Sequence, residues 1–148
     1  MRKPITTKAH GILDYLTVGA MLAFPRMFNT SKQFETCLTG TALTKLGWVL
    51  LTRHELGLFK VIPMKAHLAL DCIGGAAVAA LPFALEEDDQ DDPATVGFCL
   101  GMCATDIIVA ALTQTTPSFD QHPGRRQPRE LPRSSAPSPQ VPASSVSA

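Results

Sequence analysis

Lys8-Ala9-His10-Gly11-Ile12-Leu13-Asp14 returns fifty-seven residues later as Lys65-Ala66-His67-Leu68-Ala69-Leu70-Asp71. Each copy opens an apolar stretch of about 20 residues, the length a helix needs to cross a bilayer. The chain has four apolar stretches, near residues 9–28, 36–52, 66–85 and 94–113. The second is the weakest, because Lys45 sits near its middle. Polar segments at 29–33, 53–63 and 86–92 separate them, the last a run of acidic residues. Backbone groups in lipid must find partners within their own segment, so each stretch is expected to be a helix. The expectation is an all-α protein, a membrane four-helix bundle.

The same shift aligns more than the opening phrase. Ile5 meets Ile62, Ala20 meets Ala77, Ala23 meets Ala80 and Pro25 meets Pro82. In the second helix of each unit, Gly40 meets Gly97 and Leu43 meets Leu100. This pattern predicts two tandem helical hairpins, about 5–56 and 62–113, inside a membrane domain of residues 1–114. Two spans per unit give both units the same orientation, so the repeats are parallel, related by an axis along the membrane normal. Pro25 and Pro82 fall near the outer helix ends, where a missing hydrogen bond is easily replaced.

Basic residues set the orientation. With the N-terminus inside, cytoplasmic segments hold Arg2, Lys3, Lys8, Arg53, Lys60 and Lys65, with Arg125, Arg126, Arg129 and Arg133 further on. External segments hold Arg26 and Lys32. Both termini are therefore expected in the cytoplasm. The start of the chain has the look of a secretory signal, but Asp14 interrupts its apolar core and Pro25-Arg26 stands where a small-x-small cleavage site belongs. The first span is expected to be retained. Residues 115–148 carry seven of the twelve prolines and seven serines, and read as a disordered tail.

Charged residues are 18% of the 148, below the quarter or so of soluble domains, and the net charge is zero. No field favours nucleic acid. The expected partner is the bilayer, joined by another membrane protein or a second copy of the chain. Cys37, Cys72, Cys99 and Cys103 form no C-x-x-C pair and read as small buried apolar residues, with a Cys37–Cys99 disulfide left open. Gly97-x-x-x-Gly101, and Gly74-Gly75 in the third stretch, are expected to line close helix–helix seams.

One polar constellation stands out. His10 and Asp14 are four apart, as are His67 and Asp71, so each pair shares a helix face. Both aspartates lie about 9 Å of helix rise into their spans, and Asp106 lies at a similar depth. Ionisable groups at such depth are costly and should face the bundle interior. Asp14 and Asp71 have their own histidines as natural partners, and Lys45 has Asp14 or Asp106. The leading reading is a clamp in which these groups satisfy one another between helices. A second is a proton or cation site, since His titrates near neutral pH. A third is a haem held by the two histidines. No catalytic residue, metal site or cofactor is assigned: nucleophile–base sets, phosphate-binding glycine loops and metalloprotease motifs are missing. His54 and Glu55 read as solvated loop residues.

The chain resembles the SPW-repeat type of small bacterial membrane protein, in which a His-x-x-x-Asp start leads into an apolar helix ending in Ser-Pro-Trp. Here His10-x-x-x-Asp14 leads to Phe24-Pro25-Arg26, and His67-x-x-x-Asp71 leads to Leu81-Pro82-Phe83. The prolines match in place, while the flanking serine and tryptophan are replaced. The resemblance spans about residues 5–113. It implies a multi-pass protein of a bacterial inner membrane, built of paired two-helix units and without an assigned activity. The combined expectation is a non-enzymatic structural or assembly component, with a small proton- or ion-conducting protein and a haem-binding redox subunit as the alternatives.

Overall fold

Thr6 starts the first helix. Its hydroxyl accepts a hydrogen bond from the Ala9 amide, satisfying one donor that the first turn leaves without a partner. Three further helices follow, each with its own start signal. Ser31 caps the second through the Phe34 amide. Pro63 precedes the third. Asp92 caps the fourth through the amides of Ala94 and Thr95, with Pro93 at the first helical position. The computed structural model describes residues 3–28, 30–85 and 92–120. Among these the helices are α1 (Thr7–Met27), α2 (Lys32–Leu51), α3 (Met64–Ala84) and α4 (Pro93–Leu112), followed by a 3₁₀ turn at Ser118–Asp120. The fold is an all-α four-helix arrangement. The cap at Ser31 starts α2 four residues ahead of the apolar stretch that begins at 36.

The two hairpins make the same connections at matching positions. α3 follows α1 at an offset of 57 residues, as the opening phrase implies. α4 follows α2 at an offset of 61, not 57. The alignment of Gly40 with Gly97 and of Leu43 with Leu100 is therefore corrected. The positions that correspond are Lys45 with Asp106, and Thr52 with Thr113. The loop between the hairpin's helices is longer in the second half, and this shifts the register. A pair of short parallel bridges ties the halves together, Ile5 beside Thr113 and Ile62 beside Thr52. The Ile5 amide donates to Leu112 O at 3.1 Å and the Ile62 amide to Leu51 O at 2.9 Å. In return the Gln114 amide donates to Ile5 O at 2.9 Å and the Arg53 amide to Ile62 O at 2.8 Å. The starts of α1 and α3 and the ends of α2 and α4 thus share one end of the molecule.

The packing divides into two layers. Toward the far end, Met21, Phe24, Phe34, Leu38, Ala42, Val78, Cys99 and Met102 form an apolar core. Phe24 stacks on Phe98 there, with ring centroids 4.0 Å apart. Toward the shared end, the interior is polar and charged. The outside is apolar: Ile12, Leu16, Leu43, Ile73, Leu100, Ile107 and Ile108 are all exposed. α3 and α4 are each long and apolar enough to cross a membrane, and only about a third of each span is buried, 33% and 28%. α1 and α2 match them in length.

At Gly75 α3 and α4 approach closely: a Cβ there would lie 3.2 Å from Cys103 Cα and 3.2 Å from Asp106 Cβ. Gly74 faces the Trp48 ring of α2. Gly97 and Gly101 differ from expectation: a Cβ on either would meet nothing within 4 Å, so they line no seam among the described residues. They lie on the exposed side of α4. Pro25 and Pro82 each fall two residues before the end of their helix. The four cysteines remain thiols, with no Cys37–Cys99 disulfide. The acidic run lies outside the described residues except for Asp92, as does the tail beyond residue 120. Residues 118–120 are not loose: the Ser118 amide donates to Glu55, and Arg53 pairs with Asp120 at 3.3 Å.

Glycine packing yields a direct contrast. Gly75→Val should lower stability by about 1–3 kcal/mol through overpacking against α4, whereas Gly97→Val should leave it nearly unchanged. Denaturation in detergent, followed by helical circular dichroism, reads both.

Candidate functional site

The His-x-x-x-Asp phrases place their side chains on the inward faces of α1 and α3. Asp14 and Asp71 each lie seven residues into their helix, about 10 Å along its axis. Lys45 and Asp106 each lie six residues before the end of α2 and α4, about 9 Å in. All six polar residues therefore meet in one layer. Lys45 sits in that layer rather than nearer the middle of the bundle. None is more than 7% exposed: His10, Asp14, Lys45, His67, Asp71 and Asp106 are all buried.

The contacts cross between the hairpins. His10 Nε2 lies 3.0 Å from Asp71 Oδ2 and 3.3 Å from its own Asp14 Oδ2. His67 Nε2 lies 3.0 Å from Asp14 Oδ2 and 3.2 Å from its own Asp71 Oδ2. Each histidine meets its own aspartate, as expected, and also the aspartate of the other hairpin, at a slightly shorter distance. The result is a closed ring of alternating nitrogen and oxygen. The two imidazoles meet edge to face with centroids 5.3 Å apart. Asp14 and Asp71 fill the space in front of both Nε2 atoms, so no slot for a macrocycle remains and the haem reading is set aside.

Lys45 closes the ring from behind. Its ammonium donates to Asp106 Oδ1 at 2.9 Å and Asp71 Oδ1 at 3.0 Å, and lies 3.6 Å from Asp14 Oδ1. One cation thus reaches all three carboxylates, which goes beyond the single partner expected for it.

Two threonines that the sequence reading passed over fix the imidazole protons. Thr113 Oγ1 lies 2.9 Å from His10 Nδ1 and donates its own proton to Val109 O at 2.6 Å. Thr52 Oγ1 lies 2.8 Å from His67 Nδ1 and donates to Trp48 O at 2.6 Å. Each hydroxyl proton is committed to a helix carbonyl, so each Nδ1 must be the donor toward its threonine. Both Nε2 atoms then face carboxylate oxygens, and each needs a proton or a cation at that face. The signal in the sequence was present: each threonine ends an apolar stretch seven residues after Lys45 or Asp106.

His54 and Glu55 also depart from expectation. His54 is fully buried over the site, 6.0 Å from the His67 ring by centroids. It fits because Gly11 has no side chain; a Cβ there would lie 2.9 Å from the ring. The Leu56 amide donates to His54 Nδ1 at 3.1 Å. Burial, and then the neighbouring His67, lower its pKa below the ordinary 6.5. Glu55 is half-buried. Burial pushes its carboxyl up, but hydrogen bonds from the Thr7 hydroxyl at 2.7 Å and the Ser118 amide at 2.9 Å outweigh this and hold it down at about 2.

No protein-family model matches the chain, and neither a curated protein nor a solved structure matches it.

Glu55 generates a pH prediction. Its folded pKa lies below the usual 4.5, so the stability it contributes is complete above that value and is lost as pH falls toward 2. Hydrogen exchange at the Ser118 amide, corrected for the intrinsic pH effect, should show protection at pH 5.5 that declines across this window. Glu55→Gln should show weak protection throughout.

Proposed function

We propose that this is a four-span, non-enzymatic membrane protein, a structural or assembly component whose polar layer locks two duplicated hairpins together. One observation carries the reading: polarity runs inside out. Away from the helix ends the charged residues Asp14, Lys45, Asp71 and Asp106 are packed in the interior, while large aliphatic side chains cover the exterior. In water that arrangement would leave apolar surface exposed; in lipid the apolar exterior is favourable and the bundle interior is the least costly place for a charge. α1 and α2 carry more charge than α3 and α4, but Lys45 and Asp14 lie in the buried layer, and Lys8, Arg26, Lys32 and Glu35 sit in terminal turns.

The lock reading rests on charge balance. Three carboxylates face the Lys45 ammonium and two imidazoles. With both rings carrying a second proton at Nε2, the layer is neutral. Every charge then has an opposite partner, which is the condition under which buried ions are tolerated. The layer is closed on itself, and such enclosure favours holding helices over turning over a substrate.

Orientation follows the basic residues. Lys3, Lys8, Arg53, Lys60 and Lys65 lie at the shared end, against Arg26 and Lys32 at the other. The positive-inside rule assigns the shared end, with both chain termini, to the cytoplasm. A bacterial inner membrane fits the resemblance to SPW-repeat proteins.

Reporter fusions test the topology. Alkaline phosphatase fused after residue 148 should be inactive and fluorescent protein there bright, with the reverse within 86–91. Phosphatase activity at the C-terminus, or a chain that stays soluble without detergent, would overturn the reading. Lys45→Met tests the lock: leaving three carboxylates without their cation should cost about 3–5 kcal/mol in detergent. Unchanged stability would contradict it.

A further inference from the structure

We propose that His10 Nε2, His67 Nε2, Asp14 Oδ2 and Asp71 Oδ2 form a binding site for one first-row divalent metal cation, with zinc as the best fit. The inference goes beyond the lock reading, since charge could be balanced in the layer without a metal. The ring has the size of a metal site. The four atoms follow one another around the ring with neighbour distances of 3.0, 3.3, 3.0 and 3.2 Å. The four residues' ligand atoms all lie within 4.8 Å of one another. Edges of about 3.1 Å place a central ion about 1.9 Å from each atom if the four are tetrahedral and about 2.2 Å if they are planar, which brackets the 2.0–2.2 Å of zinc–nitrogen and zinc–oxygen bonds.

The outer contacts match what a metal needs. A ligating imidazole ordinarily donates its other N–H to a fixed acceptor, which sets the tautomer and aims the free nitrogen at the ion. Thr113 and Thr52 do this for His10 and His67, and each is itself anchored to a helix carbonyl. Lys45 bonds Asp71 through Oδ1 and approaches Asp14 through Oδ1, leaving both Oδ2 atoms toward the ring. The ammonium therefore sits behind the carboxylates and holds each to one ligating oxygen.

Charge selects the valence. With each imidazole carrying its one proton on Nδ1, the three carboxylates and Lys45 sum to two negative charges. A divalent cation makes the buried layer neutral, whereas a monovalent or trivalent one leaves a net charge in a dry interior. Ligand type selects the class: two imidazoles with two carboxylates suit zinc and its first-row neighbours, while calcium and magnesium take oxygen ligands. The ligands come from two helices in matching pairs, so a bound ion sits on the approximate axis between the hairpins and bonds both of them.

The test uses the full chain in detergent, stripped with a chelator, reloaded with Zn²⁺ and desalted. Folded wild-type protein is expected to retain one zinc per chain. Its X-ray absorption spectrum should show two imidazoles, further oxygen or nitrogen ligands, and no sulfur. His10→Gln/His67→Gln, checked for helix content, should retain none. Thr113→Val keeps all four ligands and should weaken zinc about 10–100-fold, as loss of an outer-shell partner does; a threonine with only a packing role would leave affinity unchanged. Folded wild-type protein that holds no zinc, zinc bound through sulfur, or retention by the double variant would each overturn the site. Those results would leave the fusion topology untouched, so failure of the metal site is distinct from failure of the membrane reading.

Discussion

Three carboxylates and an ammonium lie inside four helices whose outer faces are hydrocarbon, and everything else in the molecule answers to that fact. Each ion taken from water carries a desolvation penalty of several kcal/mol, offset only by close partners and saturated hydrogen bonding. The layer meets the condition by closure. The histidines bridge the aspartates of opposite hairpins, Lys45 gathers the oxygens behind them, and two threonines hold the far ring nitrogens. Each histidine thus touches the aspartates of both hairpins, so the layer ties the two halves to each other.

The near-symmetry of the halves makes one departure informative. Positions 45 and 106 correspond, yet one is lysine and the other aspartate. They meet each other, 2.9 Å apart. Two lysines or two aspartates there would repel, so identical hairpins could not close this layer. The halves also differ above the ring. His54 packs over the site in the space left by Gly11, while the matching position in α3 is Leu68. Each difference falls where the two copies touch a common element and must play different parts.

Much of this was legible in the sequence because its signals were local. The His-x-x-x-Asp phrase, the apolar lengths and the capping residues at Thr6, Ser31 and Asp92 depend on near neighbours, and they defined four helices and six inward polar residues. The added pairing between hairpins was not legible: a four-residue spacing places each histidine beside its own aspartate and says nothing of the aspartate on the other hairpin. The offset of 61 in the second helices was hidden because a single shift of 57 also matched Gly40 with Gly97 by coincidence. His54 and Glu55 misled because a short polar loop ordinarily faces water, and only the tertiary fold turns this one inward. Gly97 and Gly101 carried a packing pattern, but among the described residues no helix lies against them.

The central claim is that histidine of one hairpin faces aspartate of the other within lipid. Magic-angle-spinning NMR on bilayer-reconstituted protein with labelled histidine and aspartate measures it directly. The account predicts short-range transfer from His10 Nε2 to the Asp71 carboxyl and from His67 Nε2 to that of Asp14, with both Nδ1 atoms protonated. Transfer confined to His10–Asp14 and His67–Asp71, or imidazoles in exchange with bulk water, would contradict it.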